Sequence, residues 1–216
     1  MPNILAIDTA TQVGSVAWQD GDALTVLRLP AVRDHSRTLA EVVSRLVGPR
    51  LASVDAYALS VGPGSFTGLR VGLAFLKGLA LVYRRPVIAV STLEALIHEA
   101  GAPKLPVFAV LDARAGELFV RAPEVPEGLY PEAEVLPRLP AGPAILVGEP
   151  TASLRAALPA AEHWPSAGLA QAVLELARPR LVAGEGVDAL TLRPTYGQPA
   201  RVDRAQSVVD TPKPAP

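Results

Sequence analysis

Two hydrophobic periods alternate along the chain. Residues 4–7, Ile-Leu-Ala-Ile, are a solid apolar run ending at Asp8, the pattern of a strand buried on both faces. Residues 14–18 alternate as a second strand, and Asp20-Gly21 is a hairpin signal into a third at 24–29. The period then lengthens. Ser36 is a candidate N-cap for a helix with Leu39, Val42, Val43 and Leu46 on one face, ended by Gly48-Pro49. A strand at 56–61, a glycine-rich turn and an apolar helix over 67–83 follow. After them come a strand at 86–90 and a helix opened by the capping box Ser91-Thr92-Leu93-Glu94 and closed by Gly101. The predicted order to that point is βββαβαβα.

The second half begins as the first did. Val107-Phe108-Ala109-Val110-Leu111-Asp112 parallels Ile4-Leu5-Ala6-Ile7-Asp8, and residues 116–120 parallel 14–18. This pattern predicts a duplication, two related halves facing across a cleft; the alternative is a chance likeness between hairpins. Prolines across 123–143 predict loops and short edge strands. A strand at 144–147, a helix from Thr151 to Leu158 and a longer one from Ser166 to Arg178, stopped by Pro179, complete the pattern. The tail, residues 210–216, is expected to be disordered.

Composition narrows the function classes. The chain has 216 residues, 50% of them hydrophobic and 19% charged, enough apolar material for a sizeable core. A net charge of −1 provides no global attraction to nucleic acid or anionic membrane, so any RNA contact needs a local patch. Arg28, Arg33 and Arg37, or Arg84 and Arg85, are the candidates for one. The absence of cysteine removes disulfides, thiolate zinc sites and cysteine nucleophiles. The N-terminus has no basic, apolar leader pattern, and the apolar stretch 71–83 is interrupted by Lys77 and too short to span a bilayer. A soluble, cytoplasmic protein is expected.

The candidate chemistry centres on two segments. In Gly62-Pro63-Gly64-Ser65-Phe66-Thr67-Gly68-Leu69-Arg70-Val71-Gly72, glycines precede a helix N-terminus and could offer backbone N–H groups to an anion. Alternatively, Gly64, Gly68 and Gly72, four apart, form a smooth ridge for close approach of another helix. The spacing is neither the dinucleotide fingerprint nor a Walker loop. Asp8-Thr9-Ala10-Thr11 ends the first strand, where a carboxylate could hold a hydrated cation and the hydroxyls could bind phosphate. The alternative is a turn in which the same groups satisfy backbone donors. Asp112-Ala113-Arg114, its counterpart, has no hydroxyl. His35, His98 and His163 lack metal-site spacing, and His98 is expected to interact with the carbonyl end of its own helix. Gly64-Ser65-Phe66-Thr67-Gly68 has its serine in the wrong place for a nucleophile elbow. No catalytic and no metal-binding residue is nominated. The helix at 67–83 is apolar all round, so either one chain buries it completely or a second subunit covers the face its own sheet leaves open.

Several of these segments together resemble the TsaB (YeaZ) family of bacterial tRNA threonylcarbamoyladenosine biosynthesis proteins. They are the 4–11 strand and turn, Arg33-Asp34-His35-Ser36, the 62–72 glycine run, Val90-Ser91-Thr92-Leu93-Glu94-Ala95-Leu96, and Leu111-Asp112-Ala113-Arg114-Ala115-Gly116-Glu117. The match runs in order over residues 4–120. Further on, Arg193-Pro194-Thr195-Tyr196 is similar to the family's C-terminal end, while Gly197-Gln198 departs from its usual Leu-Arg. The resemblance implies an α/β fold of two actin-like (ASKHA) subdomains with mixed sheets, over 1–103 and 104–209. It implies a non-catalytic partner of the homologous transferase TsaD, which works with the ATPase TsaE to modify adenosine 37 in tRNAs reading ANN codons. The chain lacks the His-x-x-x-His metal motif of the catalytic homologue. Contact with tRNA would then be indirect, through the complex, and the chain alone would form a homodimer through its first two helices. The expected interface residues are Leu39, Val42, Val43, Leu46, Gly68, Gly72, Phe75 and Leu76. A nucleotide, ATP or ADP with Mg, would sit at Asp8, Thr9, Thr11, Gly62, Gly64 and Ser65. The competing reading is a small Mg-nucleotide-dependent ATPase or phosphotransferase using Asp8 and Asp112 across the cleft.

Overall fold

The computed structural model describes residues 1–30, 35–139 and 142–196, and of residues 35 and 36 the backbone only. Arg33, Asp34, the Ser36 cap, Gly197, Gln198 and the 210–216 tail lie outside the described residues. Strands β1 (Ile4–Asp8), β2 (Ser15–Asp20) and β3 (Ala23–Arg28) form the meander, followed by α1 (His35–Leu46) and β4 (Ala56–Ser60). Then come α2 (Phe66–Tyr83), β5 (Val87–Val90) and α3 (Thr92–Ala100). The second half comprises β6 (Val107–Arg114), β7 (Glu117–Ala122), β8 (Val125–Pro131), α4 (Glu132–Val135) and β9 (Ala144–Glu149). It ends with α5 (Ala152–Ala157), β10 (Ala161–Trp164) and α6 (Ala170–Val182).

The two five-stranded sheets have one topology. The first runs β3-β2-β1-β4-β5 and the second, read from its other edge, β8-β7-β6-β9-β10. In each, the opening strand is central, a meander flanks one side and parallel strands the other. Corresponding helices are very unequal in length, 18 residues in α2 against six in α5.

The solid apolar run of β1 reflects burial on both faces. Its side chains alternate: Ile4 and Ala6 enter one core, Leu5 and Ile7 another. The core containing Leu5 lies under α1 and α2 on the outer face of the first sheet. A corresponding outer core, around Val110, Leu118 and Leu146, lies under Leu154 of α5. Between the sheets is a third core that draws on both halves. There α6 packs on the first sheet and α3 on the second, so each half covers the other's strands. The 103/104 boundary falls in the connection from α3 to β6, but neither half closes its apolar surface alone.

Three expectations are corrected. Helix α6 is capped at Leu169 rather than Ser166 and continues past Pro179 to Val182. Packing of Val173, Leu174 and Ala177 between the sheets outweighs the one backbone hydrogen bond that the proline removes. Strand β10 was not anticipated, because Ala-Glu-His-Trp has neither alternation nor an apolar run; it is an edge strand held by parallel pairing with β9. The glycine ridge does not meet another helix. A Cβ at Gly68 would overlap the Thr9 carbonyl, and one at Gly72 would overlap the Thr9 hydroxyl and crowd Leu59. These glycines let α2 lie directly on the turn that follows β1.

Candidate functional site

A cleft of about 730 Å³ opens between the halves, walled by the β1–β2 turn, the glycine loop and the β6–β7 turn, with Thr9, Ser65, Phe66, Arg114 and Tyr196 in its lining. A smaller recess of about 340 Å³ continues past Gln12, Glu149 and His163. Gln12 bridges the halves at the mouth, donating its backbone N–H to Glu149 Oε1 (2.9 Å) and its amide to Oε2 (3.2 Å).

Period-2 alternation aims Asp8 the same way as Ile4 and Ala6, toward α6, and strand pairing sets Ser15 opposite it. Asp8 is fully buried. Its Oδ1 accepts from the Ala10 N–H (3.0 Å) and the Ser60 hydroxyl (2.5 Å), and its Oδ2 accepts from the Thr11 hydroxyl (2.7 Å). The backbone N–H of Leu169, the N-cap of α6, also acts on this carboxylate, lowering its pKa, and Ser15 Oγ accepts the next N–H, from Ala170 (2.9 Å). Asp8 and Ser15 thus cap a helix from the opposite half, where a carboxylate also suits the positive end of the helix dipole. Gly168, at φ +116°, permits the close approach, because a Cβ there would press on Ser15. Burial raises the Asp8 carboxyl above its ordinary value of 3.8, and hydrogen bonds from Ser60, Thr11, Ala10 and Leu169 oppose the shift.

The residues nominated for a nucleotide have partners within their own chain. Asp8 is bound by its own chain on both oxygens, the Thr9 hydroxyl donates to the Gly68 carbonyl (2.8 Å), and that of Thr11 serves Asp8. A Cβ at Gly62 would overlap the Thr195 carbonyl, and one at Gly64 the Ala10 carbonyl. The Ser65 N–H donates to Ala10 O (2.8 Å), and Ser65 Oγ caps the Gly68 N–H (3.2 Å). These six residues meet in a packing junction at the edge of the cleft, where Thr9, Thr11, Gly64 and Ser65 also belong to its lining. Asp112 repeats the Asp8 turn on a smaller scale, accepting from the Arg114 N–H (2.8 Å) and guanidinium (3.2 Å), but no helix reaches it. His98 meets Glu175 of α6 (2.8 Å) rather than the end of its own helix. Burial would raise the Glu175 carboxyl, yet hydrogen bonds from Gln171 and His98 hold it below its ordinary range.

The residues nominated for a partner interface divide by burial. Leu39, Val42, Val43, Leu46 and Leu76 are buried beneath their own helices, Gly68 and Gly72 face Thr9, and Phe75 is half-buried. The buried leucines and valines hold α1 and α2 to the sheet, whereas Phe75 also reaches the open side of α2. The open surface of α2 is its opposite arc: Arg70, Ala74, Gly78, Leu81 (62% exposed) and Val82 (72%), with Phe66 (53%) at the N-terminal end. Sequence phase could have found this arc, since Leu69, Leu73 and Leu76 mark the buried side and the exposed positions lie roughly half a turn away. Phe66, Arg70, Val71, Ala74 and Phe75 line a groove of about 460 Å³ on it. The Arg70 guanidinium lies 3.9 Å from the Phe66 ring centroid, and its Nε donates to the Tyr196 hydroxyl (3.1 Å). By length and apolarity α2 resembles a membrane span, but it is the crossover between parallel strands β4 and β5, with Leu69, Leu73 and Leu76 buried.

Residues 29–125 match the family model TsaD: tRNA N6-adenosine threonylcarbamoyltransferase. The chain is 41% identical over 124 residues to the tRNA threonylcarbamoyladenosine biosynthesis protein TsaB of Escherichia coli, covering 54% of this chain and 52% of that protein. The Haemophilus influenzae protein of the same name is 36% identical over 125 residues, 54% of this chain and 51% of that one. The chain thus spans about half the length of the curated relatives it matches. Among solved structures, YeaZ from Pseudomonas aeruginosa superposes with a TM-score of 0.74 at 29% identity, covering 91% of this chain and all of that one.

Proposed function

We propose, from the premise that this chain is a TsaB/YeaZ-type protein of the actin-like superfamily, that it is a non-catalytic subunit of the machinery that installs N6-threonylcarbamoyladenosine on tRNA. Its part is to dock the TsaD-type transferase. The observation that carries this reading is the open arc of α2. Phe66, Leu81 and Val82 stay exposed around Ala74 and Gly78 on a helix as long and apolar as a membrane span. An unaccompanied monomer gains nothing from such a surface, whereas a helix-to-helix contact would bury it at about 25 cal/mol per Å². The cleft supports the same reading from the other side. Asp8 and Ser15 are committed to holding α6, which makes the two halves a stiff support.

A TsaE-type ATPase joins the assembly through the transferase, tRNA is contacted through the complex in the cytoplasm, and the chain alone pairs with itself through the same arc. The test is co-purification and native mass measurement of the chain mixed with its TsaD-type homologue. A one-to-one complex is expected. Substituting Ala74→Glu, on the open face, should weaken it by about 100-fold, because the new carboxylate would take up Arg70, one turn away, and occupy space that the partner's apolar groups need. Two folded components that pass each other as monomers would refute the reading.

A further inference from the structure

The open arc carries an asymmetry of charge. Along α1 and α2 the exposed or half-exposed charged side chains are Arg37, Glu41, Arg45, Arg70 and Lys77, and Arg84 and Arg85 follow directly after α2. The single acid, Glu41, is already paired with Arg37 at 2.9 Å. The chain as a whole is slightly acidic, at −1, so this cationic face is local. Within it Arg70 is held in place. Phe66 lies beneath its guanidinium group, the Tyr196 hydroxyl accepts a hydrogen bond from its Nε–H, and the two rings brace each other at 5.0 Å. Among the described residues no carboxylate pairs with it. Arg70 lines the apolar groove together with Phe66, Val71, Ala74 and Phe75.

We infer that Arg70 selects the partner on this face: it is a pre-oriented fork for a carboxylate on an apolar helix of a different polypeptide, which makes that pairing stronger than the one this face forms with a second copy of itself. The inference rests on the docking role proposed above. An arginine whose plane and Nε are already fixed loses little freedom when its remaining N–H groups take a carboxylate in bidentate fashion. A second copy offers less among the described residues: its α2 has no acid, Glu41 of α1 is paired with Arg37, and Asp188, beside Leu81 and Arg84, accepts the Leu190 N–H, so closing the contact would strip water from guanidinium groups with less to replace it. The interleaved Phe66, Val71, Ala74, Leu81 and Val82 favour a protein helix over an RNA backbone as the occupant.

The experiment measures association of the full chain with its TsaD-type homologue and with itself, using wild type, Arg70→Gln, Arg70→Lys, Tyr196→Phe and Ala74→Glu, each checked by circular dichroism. Arg70→Gln should weaken the mixed complex by about 10- to 100-fold while strengthening self-association several-fold. Arg70→Lys, which keeps the charge but not the fork, should recover only part of the mixed affinity. Tyr196→Phe, which releases Nε at constant charge, should weaken the mixed complex a few-fold and leave self-association unchanged. If Ala74→Glu abolishes the mixed complex and Arg70→Gln does not alter it, the docking face stands and the role of Arg70 is overturned. If Arg70→Gln weakens both associations alike, the selective role is likewise overturned. If neither substitution has an effect, the docking reading itself fails. Steeply salt-dependent tRNA binding by the isolated chain, reduced by Arg70→Gln, would assign the face to phosphate instead.

Discussion

Replacing Asp8 by alanine tests the central structural claim, that this carboxylate caps α6 from across the molecule. The change leaves the hydroxyls of Ser60 and Thr11 and the N–H groups of Ala10 and Leu169 facing a void in a fully buried site. An unsatisfied buried donor costs about 1–3 kcal/mol, and loss of an N-cap about 0.5–2 kcal/mol. The hydroxyls can turn to other acceptors and the terms overlap, so a total of about 3–5 kcal/mol is expected. For a domain of this size that corresponds to a fall in melting temperature of about 10 °C. Asp8→Asn keeps an oxygen for the N–H groups and places its amide where a hydroxyl can accept, so it should cost only about 1 kcal/mol. The two variants also differ from wild type in pH dependence. Because burial raises the folded carboxyl above 3.8, the folded state binds the proton more tightly than the unfolded chain. The stability from that proton is complete below 3.8 and is lost as pH rises through the folded value; both variants should lack this decline. Urea titrations at several pH values supply the measurement. An Asp8→Ala protein as stable as wild type, together with Mg-ATP stabilising wild type and not the variant, would refute the cap and support the nucleotide site.

Glycine substitutions along α2 should separate its two faces. Gly68→Ala drives a methyl group into the Thr9 carbonyl and should destabilise by about 2–3 kcal/mol, whereas Gly78→Ala meets nothing within 4 Å and should stabilise by about 0.5–1 kcal/mol; thermal melts distinguish them. If Gly68→Ala melts like wild type, α2 does not rest on the β1 turn. The Glu175 carboxyl is held low, so its contribution is present above the ordinary value of 4.5 and is lost as pH falls through the folded value. Both partners are more than a third exposed, so His98→Ala should reduce this acid-side loss by no more than about 0.5 kcal/mol, read from urea midpoints between pH 3 and 6.

Much of the architecture was legible in the residues because it depends on local periodicity. Solid apolar runs marked the central strands, Ser91 and Thr151 marked helix starts, and the repeat of Ile-Leu-Ala-Ile-Asp in Val-Phe-Ala-Val-Leu-Asp foretold two sheets of one topology. Where pairing rather than periodicity decided, the pattern was silent. The strand β10 exists because β9 offers it a parallel edge, and α6 runs through Pro179 because both sheets grip it.

The candidate site divides along the same line. By itself the sequence determined that Asp8 ends a buried strand, that glycines recur every four residues on an apolar helix, and that this helix has more apolar surface than one sheet face can cover. Only the tertiary structure decided what those features serve. Ser15, beside Asp8, meets a helix end 155 residues further along the chain, the glycines admit the Thr9 backbone, and the leucines and valines nominated for a partner are the ones their own sheet consumes. The physical reason is that periodicity assigns a side chain to a face, while the occupant of that face is set by folding the distant segments of the chain together.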